Sequence, residues 1–289
     1  MNKYTIAIPT HNNEKVIYEC VKSAINAAGS NSEILISDTS STEKTQMILK
    51  SFSDNRIKVF RNDEKWSMWE NHNFLLKQST GNYIIFLHSD DTLLKDAIKI
   101  IDEKLSVRGY PSRIILSGNS IYHSFKGVIE QLSLPTEEYI SGSDAVKLFC
   151  RGLTPSGTVF SKDFSSTEGF IGNAMCMPYS DAWTGMYLAL NGFKYLYIND
   201  IYFLRSANGT TLRKGSPNEL HEVYKKLKSI LGENKLKIVL QAAFDADAPF
   251  VVEHFLTDSK IRTNIKKEII YRFIHNPLKF HSMLKLLSY

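Results

Sequence analysis

Over the first 117 residues of the chain, short apolar runs alternate with segments in which hydrophobic residues recur at the spacing of a helix. The apolar runs predict strands at 4–8, 33–37, 56–60, 82–87 and 113–117. Between the first two strands, Ile17, Val21 and Ala24 recur on one helix face, and Gly29 ends that pattern. Strands that alternate with helices in this way are typical of a parallel α/β domain.

The pattern changes after residue 117. From 118 to 180, Gly, Ser and Pro break it into short strands and one helix near Asp144 to Cys150. A helix is predicted after Asp181, and a strand is predicted over Lys194 to Ile198. From Pro217 onward the spacing is helical to the last residue. We therefore expect two regions, 1–212 and 213–289, the first of them divided into halves 1–117 and 118–212.

The composition indicates an ordinary globular protein. With 289 residues, 43% of them hydrophobic, the chain can bury one large core or two small ones. Its three cysteines are far apart and lack metal-ligand spacing, which favours reduced thiols and a cytoplasmic location. The first strand begins near the initiator methionine, so we expect no signal peptide, and no apolar run approaches the roughly 20 residues of a membrane span. The net charge of +5, without a basic stripe interleaved with aromatic residues, does not favour nucleic acid as a partner.

The tetrad His88-Ser89-Asp90-Asp91 directly follows the apolar run at 83–87. Open α/β sheets place their ligands beyond the carboxyl ends of such strands. Adjacent carboxylates repel one another unless a cation lies between them and a ligand, and hard divalent cations take oxygen ligands while leaving positions free for phosphate. The tetrad therefore predicts a metal-diphosphate site. Alternatively, Asp90, Asp91 or Thr92 caps the helix that begins near Leu93, although a cap does not require two acids.

Two further polar loops follow strands of the same predicted sheet. Pro9-Thr10-His11-Asn12-Asn13 lacks the glycines of a dinucleotide fingerprint or a P-loop, which disfavours both of those classes. In Ser37-Asp38-Thr39-Ser40-Ser41, the Asp38 carboxylate could accept a hydrogen bond from a ring N–H of uracil, thymine or guanine. Ser40 and Glu43 also have the spacing of a capping box, which predicts a helix after them.

Together these loops resemble glycosyltransferase family 2 and its GT-A fold. Besides the loops, Asn73 stands eight residues before Gly81, which with Tyr83 leads to the acidic tetrad as in the family. The resemblance implies a Rossmann-like, mostly parallel sheet flanked by helices, with a nucleotide-binding half at 1–117, an acceptor-side half at 118–212 and a helical extension. It implies that the nucleotide sugar contacts Pro9, Thr10, Asn12, Asp38, Asn73, Ser89 and Asp90, and that Asp90 and Asp91 hold Mn2+ or Mg2+. His88 replaces the family's first acid, which leaves open whether it touches the metal or the sugar.

The resemblance also implies roles for three later residues. Asp181 stands where the family has its catalytic base, at the start of a helix, although an acid there is equally natural as a helix cap. Trp183 is expected to line the acceptor site, since Trp offers a flat apolar face to a sugar. Arg205 falls near the family's diphosphate-closing segment, without the usual nearby His. His72 has no partner visible in the sequence and is expected to be structural or solvent-facing.

These implications describe a metal-dependent inverting glycosyltransferase. Its donor is expected to be a nucleoside-diphosphate sugar, and its acceptor a lipid-linked oligosaccharide or other glycan for a bacterial surface polysaccharide. One alternative is a sugar nucleotidyltransferase. Enzymes of that class carry a glycine-rich loop after the first strand, and this chain lacks one. The other is a non-catalytic subunit that binds a nucleotide sugar or a glycan.

The tail at 260–289 is basic and amphipathic. It carries seven Lys and Arg residues against the single acid Glu268, and apolar residues are interleaved with them. Pro277 should split it into two helices. Such a pattern is typical of helices that lie in a membrane interface, so we expect peripheral contact with an anionic membrane on its cytoplasmic face. Alternatively, the apolar stripe packs back on the protein and the lysines face water.

Overall fold

The computed structural model describes residues 3–123, 128–130, 137–171, 180–206 and 216–289. Contacts between Cα atoms divide the chain into two compact units. The first comprises 1–140, 154–174 and 193–211, and the second comprises 141–153, 175–192 and 212–289. The segments 141–153 and 175–192, predicted to belong to the acceptor-side half, are thus grouped with the carboxyl-terminal helices.

A mixed sheet forms the first unit. Its strands are β1 (Tyr4–Thr10), β2 (Ser32–Asp38), β3 (Ile57–Arg61), β4 (Tyr83–Phe86), β5 (Thr92–Leu93), β6 (Ile114–His123), β7 (Val128–Glu130), β8 (Tyr139–Ile140), β9 (Val159–Ser161) and β10 (Lys194–Ser206). They are ordered β3-β2-β1-β4-β9-β6-β10-β5, with β7 beside β6 and β8 beside β10. The long pairs β1/β2, β2/β3, β1/β4 and β6/β10 are parallel, and the antiparallel pairs are short. The α/β prediction is confirmed, and the predicted strand 194–198 is the start of β10.

Helices cover this sheet because each has one apolar face. They are α1 (Ile17–Ala27), α2 (Lys44–Leu49), α3 (Met68–Gln78) and α4 (Ala97–Ser106). Ile17, Val21 and Ala24 of α1 are buried against strand residues, as their spacing predicted. The predicted cap of α2 is wrong: Glu43 precedes the helix without a side-chain cap, because the Ser40 hydroxyl bonds the Thr45 hydroxyl instead.

The second unit is helical. It contains α5 (Gly142–Phe149), α6 (Ser180–Leu190), α7 (Pro217–Asp245), α8 (Pro249–Leu256), α9 (Ser259–His275), α10 (Pro277–Phe280) and a final 3₁₀ segment (His281–Ser288). Helices α5 and α6 approach closely at Gly185, where a Cβ atom would lie 2.6 Å from the Phe149 ring. The helix α7 is broken at Gly232, whose φ of 71° is left-handed and therefore suits glycine. Pro277 opens α10, which confirms the predicted split of the tail.

Part of the apolar stripe of the tail is buried within the second unit. Its buried residues are Ile265, Ile269, Phe280, Met283 and Leu286. Its exposed apolar residues are Ile270 (45%), Tyr271 (58%), Ile274 (68%) and Leu278 (95%). The tail is therefore part of a core and also presents an apolar surface. Among the described residues, no helix is long and apolar enough to cross a membrane.

The cysteines were predicted to be reduced thiols. Cys20 lies in α1 and Cys150 directly follows α5, and both are buried and free. Cys176 lies outside the described residues. Burial raises the pKa of the Cys150 thiol to about 12, so this thiol is protonated near pH 7.

Candidate metal and nucleotide site

The tetrad after β4 forms a tight turn at the carboxyl edge of the sheet. The Asp91 N–H donates to the His88 carbonyl at 2.9 Å, which closes the turn. Ser156 lies across it: its hydroxyl accepts from the His88 N–H at 3.0 Å and donates to Asp91 Oδ2. The other oxygen of Asp91 accepts the Ser206 N–H at 2.7 Å. The Asp91 carboxylate is thus fixed by segments that precede β9 and end β10.

Three side chains of the turn form a cluster with the chemistry of a divalent-cation site. His88, Asp90 and Asp91 each offer one ligand atom, and these atoms all lie within 4.8 Å of one another. Ligand atoms on one divalent ion lie about 2.0–2.6 Å from it, so two of them are no more than about 5 Å apart. The donor set therefore fits a divalent ion. His88 lies with the two acids, a placement that the sequence left open.

Burial sets the protonation of this cluster. It lowers the pKa of His88, and it raises the pKa of Asp91 against the hydrogen bonds from Ser156 and Ser206. The negative charges of Asp91 and Asp90 act to raise the pKa of His88, and the positive charge of Arg205 acts to lower it. Burial thus favours the neutral form of both groups. A bound cation would reverse this preference for Asp91, because it would stabilise the carboxylate, and would keep His88 neutral, because it would take the lone pair of the imidazole.

The loops after β1 and β2 are tied to one another and to the turn. The Asn13 amide donates to the Ser89 hydroxyl. Asn12 has a left-handed φ of 52°; its N–H donates to Ser40 Oγ at 2.8 Å, and its side-chain oxygen accepts the Ser41 N–H at 3.0 Å. The structure therefore brings the three predicted loops together at one edge, as strands that run parallel require.

The structure does not present Asp38 to a nucleobase. Its side chain is fully buried and forms an ion pair with Arg61 at 2.7 Å. It also accepts hydrogen bonds from Gln46 Nε2 at 2.7 Å and from the Ser40 N–H at 2.8 Å. The predicted contact between Asp38 and a base is thus contradicted in this conformation. Asp38 instead holds the loop after β2, which explains an acid at the strand end without a ligand.

The predicted contact of Asn73 with the nucleotide is not supported either. Its amide oxygen accepts the Phe170 N–H at 2.7 Å, and its amide nitrogen donates to the Phe170 carbonyl at 3.0 Å. Through this reciprocal pair of hydrogen bonds, Asn73 holds the segment around Phe170 in place. The neighbouring Asn71 bridges the edge instead, because its amide nitrogen donates to the carbonyls of Thr10 at 3.4 Å and Ser37 at 3.1 Å.

Pro9 and Thr10 end β1 and are buried. The Thr10 hydroxyl oxygen and the Asn71 amide oxygen have no hydrogen-bond partner among the described residues. A buried polar atom without a partner is disfavoured, so these two atoms have hydrogen-bonding capacity that the described residues do not use. The nucleotide role of Thr10 stays a prediction.

Asp181 and Trp183 belong to α6 of the second unit. Asp181 is the second residue of that helix, is half-buried, and accepts the Ala182 N–H at 2.9 Å. Burial raises the pKa of Asp181 above its usual range. Trp183 has no exposed surface and packs edge-on against the His254 ring at a centroid distance of 5.3 Å. The prediction that Trp183 lines the acceptor site is therefore wrong: Trp183 is a core residue.

Sequence reasoning missed Ser156, Ser206 and His72 at the candidate metal site. The two serines lie 65 and 115 residues from the Asp91 that they hold, and no local pattern marks them. His72 was expected to be structural or solvent-facing, yet its Nε2 lies 3.2 Å from Nε2 of His88. Burial, followed by the charge of His88, lowers the pKa of His72 to about 3, so this imidazole is neutral near pH 7.

The sequence is similar to those of known glycosyltransferases over its first part. The model of Glycosyl transferase family 2 matches residues 5–110, which carry all three loops. A Campylobacter jejuni GalNAc(5)-diNAcBac-PP-undecaprenol beta-1,3-glucosyltransferase is 32% identical over 113 residues, or 38% of this chain and 36% of that protein. The Escherichia coli UDP-Glc:alpha-D-GlcNAc-diphosphoundecaprenol beta-1,3-glucosyltransferase WfgD is 29% identical over 132 residues, 43% of this chain and 52% of that protein. The matches thus span about a third to a half of these relatives' length.

The fold itself matches over nearly the whole chain. Residues 1–349 of Staphylococcus aureus TarS, solved in complex with UDP, superpose with a TM-score of 0.67 at 16% identity, covering 99% of this chain and 90% of that one. At this identity the likeness shows the fold alone. The predicted GT-A fold with a helical carboxyl-terminal part is confirmed.

The buried Asp181 carboxyl leads to a first prediction, which concerns stability. A carboxyl whose pKa is raised on folding favours the folded state below its ordinary pKa of about 3.9, and this contribution is lost as the pH rises through the raised value. Above this raised value the protein therefore contains a half-buried charge that Asp181→Asn lacks. We expect the variant to melt a few degrees higher than the wild type at pH 7, since about 1 kcal/mol moves the Tm of a 150–250-residue domain by about 2–4 °C.

The measurement is a series of thermal melts between pH 4 and pH 8. The difference between the two proteins should shrink toward pH 4. Asp144→Asn is the control, because Asp144 is also an acid in a first helical turn but is exposed. Equal melting temperatures of wild type and Asp181→Asn at all pH values would show that the Asp181 carboxyl is not destabilised by burial.

Proposed function

We propose that this chain, whose residues 5–110 match the model of Glycosyl transferase family 2, transfers a sugar from a nucleoside-diphosphate donor to a lipid-linked glycan with inversion. The observation that carries the proposal is the cluster of His88, Asp90 and Asp91 at the edge where the three loops meet. The relatives' names support the acceptor class, since two of them act on undecaprenol-linked glycans. The activity belongs to bacterial surface polysaccharide synthesis.

The donor site lies at the carboxyl edge of the first unit. Asp90 and Asp91, with His88, would hold Mn2+ or Mg2+, and the metal would neutralise the charge that develops on the departing diphosphate. Arg205 acts electrostatically on His88, and such a positive charge also favours a diphosphate. Asn12 and Ser89 hold the loops around it in place. We propose UDP as the nucleotide to test first, because the structural neighbour TarS binds UDP.

Asp181 is our candidate for the general base. Inverting transfer requires one group that removes the acceptor hydroxyl proton, while the metal replaces an acid on the leaving side. Burial raises the pKa of Asp181, which makes its carboxylate a stronger base than an exposed one. In the described contacts, the carboxylate accepts only a backbone N–H and forms no ion pair.

The exposed side of the tail is our candidate for contact with the membrane that carries the acceptor lipid. Ile270, Tyr271 and Ile274 share one face of α9, and Leu278 follows in α10. Lys267 precedes this face by one turn, and Lys279 follows it; both are exposed. An apolar face flanked by cations suits an anionic interface, where each Lys or Arg contributes on the order of 1 kcal/mol.

The metal site leads to a second prediction. Asp90→Asn and Asp91→Asn should each bind UDP at least about 10-fold more weakly than wild type in the presence of Mn2+, because loss of one carboxylate ligand weakens the bridge to the diphosphate. Calorimetry with and without EDTA measures this. Asp96→Asn, an exposed acid five residues further on, is the control. UDP affinity that is unaffected by EDTA and by both substitutions would reject the metal assignment.

A third prediction concerns catalysis. Asp181→Asn should lose about 10²- to 10⁴-fold in transfer rate while donor affinity is retained, because the base is removed and the metal site is not. The measurement is UDP release in the presence of an undecaprenyl-diphosphate-linked sugar, with Asp144→Asn as control. NMR of the product should show an inverted anomeric centre. Donor binding without turnover in the wild type would instead indicate a non-catalytic binding subunit.

A fourth prediction tests the tail. The double variant Ile274→Glu, Leu278→Glu should no longer co-sediment with vesicles that contain anionic lipid, and high salt should release the wild type. Truncation is unsuitable here, because the tail also buries core residues such as Ile269 and Met283. Met47→Glu, Val107→Glu is the matched control, since both residues are exposed and apolar but lie in the first unit. Failure of the wild type to bind any vesicle would reject the membrane contact.

A further inference from the structure

The buried His72 and the half-buried His88 form a directed chain of hydrogen bonds at the candidate metal site. His72 Nδ1 lies 2.7 Å from the Met68 carbonyl, one turn earlier in α3. A carbonyl oxygen can only accept, so Nδ1 of His72 carries the proton. Phe86 stacks on the His72 ring at a centroid distance of 5.2 Å, and Phe170 meets it edge-on at 5.2 Å. This aromatic enclosure favours the neutral imidazole, whose Nε2 is then a hydrogen-bond acceptor.

The second link follows from the first. His72 Nε2 and His88 Nε2 are 3.2 Å apart, and the rings are nearly perpendicular at 88°. Two bare nitrogens at this distance would repel, so the hydrogen must be on His88 Nε2. A neutral His88 then has its lone pair on Nδ1. The nitrogen that remains to act as a ligand toward Asp90 and Asp91 is therefore Nδ1.

We propose that His72 is a positioning residue that holds His88 in the Nε2-protonated tautomer and so makes His88 Nδ1 a ligand of the divalent cation. This inference rests on the metal site of the proposed function, but not on its turnover. A histidine ligand commonly donates its other N–H to a fixed acceptor, which orients the ring and raises its basicity. Here that acceptor is a second imidazole rather than a carboxylate or a carbonyl.

A nitrogen ligand also changes which cation the site prefers. Mg2+ takes oxygen ligands and holds water tightly, whereas imidazole suits transition metals, and affinity rises from Mn2+ to Co2+ for a given nitrogen-containing site. A site built from His88, Asp90 and Asp91 should therefore prefer Mn2+ and Co2+ to Mg2+. The family's acid at position 88 would give only oxygen ligands, so the histidine shifts the choice of metal.

The tautomer is measurable in the wild-type protein without any substitution. Long-range ¹H–¹⁵N NMR of protein labelled in its histidine nitrogens distinguishes protonated from bare ring nitrogens. We expect His88 with a protonated Nε2 and a bare Nδ1 in the metal-free protein, and paramagnetic loss of the His88 signals when Mn2+ is added. Comparison with His88→Asp assigns the resonances. A His88 with its proton on Nδ1 would overturn the proposal.

Metal titrations test the consequence. His72→Phe keeps an aromatic ring in the enclosure but removes the acceptor, so Mn2+ and Co2+ should bind about 10- to 100-fold more weakly, as for other losses of a histidine's outer partner. Mg2+ affinity should change less. His88→Asp should lower the preference for Mn2+ over Mg2+. Binding is followed by calorimetry with the metal salts alone, and by the EPR signal of free Mn2+.

His254→Phe is the matched control for the loss of a buried histidine. His254 is fully buried, and its Nδ1 lies 2.8 Å from the carbonyl of Phe250, four residues earlier, but it belongs to the second unit. This variant should bind metals as the wild type does. Equal Mn2+ affinity of wild type and His72→Phe would refute the inference. An inactive wild type that still shows the His72 effect would refute the transferase activity alone.

Discussion

The carboxylate of Asp91 joins the parts of the first unit on which the candidate site depends. One oxygen is held by the hydroxyl of Ser156, ahead of β9, and the other by the N–H of Ser206, at the end of β10. The same hydroxyl accepts the N–H of His88, so the turn after β4 is set by strands far away in the sequence.

How far the sequence predicted this site depends on how local each signal is. The positions of the strands, and hence of the loops that follow Thr10, Asp38 and Leu87, follow from apolar runs of a few residues, which is why the edge was predicted correctly. The partners of individual side chains depend on register and packing between distant segments. Asp38 is at the predicted edge but points to Arg61, and Asn73 is near it but binds the Phe170 backbone. The spacing of residue types along the sequence does not mark those contacts.

The same limit explains Trp183 and His72. Tryptophan occurs both at binding surfaces and in cores. Its place in the sequence therefore does not decide whether the Trp183 indole contacts a sugar or fills a core. In the structure it is fully buried. His72 is the opposite case, because a residue with no visible partner lies against His88 once α3 packs on the sheet. A motif identifies which chemistry is present at an edge, whereas tertiary packing decides which side chains are free to perform it.

Burial raises the pKa of both Asp91 and Asp181, yet their surroundings suit different tasks. Asp91 receives hydrogen bonds from Ser156 and Ser206 and has His88 beside it, contacts that stabilise the carboxylate and make it a good ligand. In the described contacts, only backbone N–H groups oppose the burial of the Asp181 carboxyl, and the pKa of this carboxyl is raised. Pairs of carboxyl groups whose environments favour different protonation states are typical of a division between charge stabilisation and proton transfer. This difference supports the proposal that Asp91 holds the metal and that Asp181 accepts the proton.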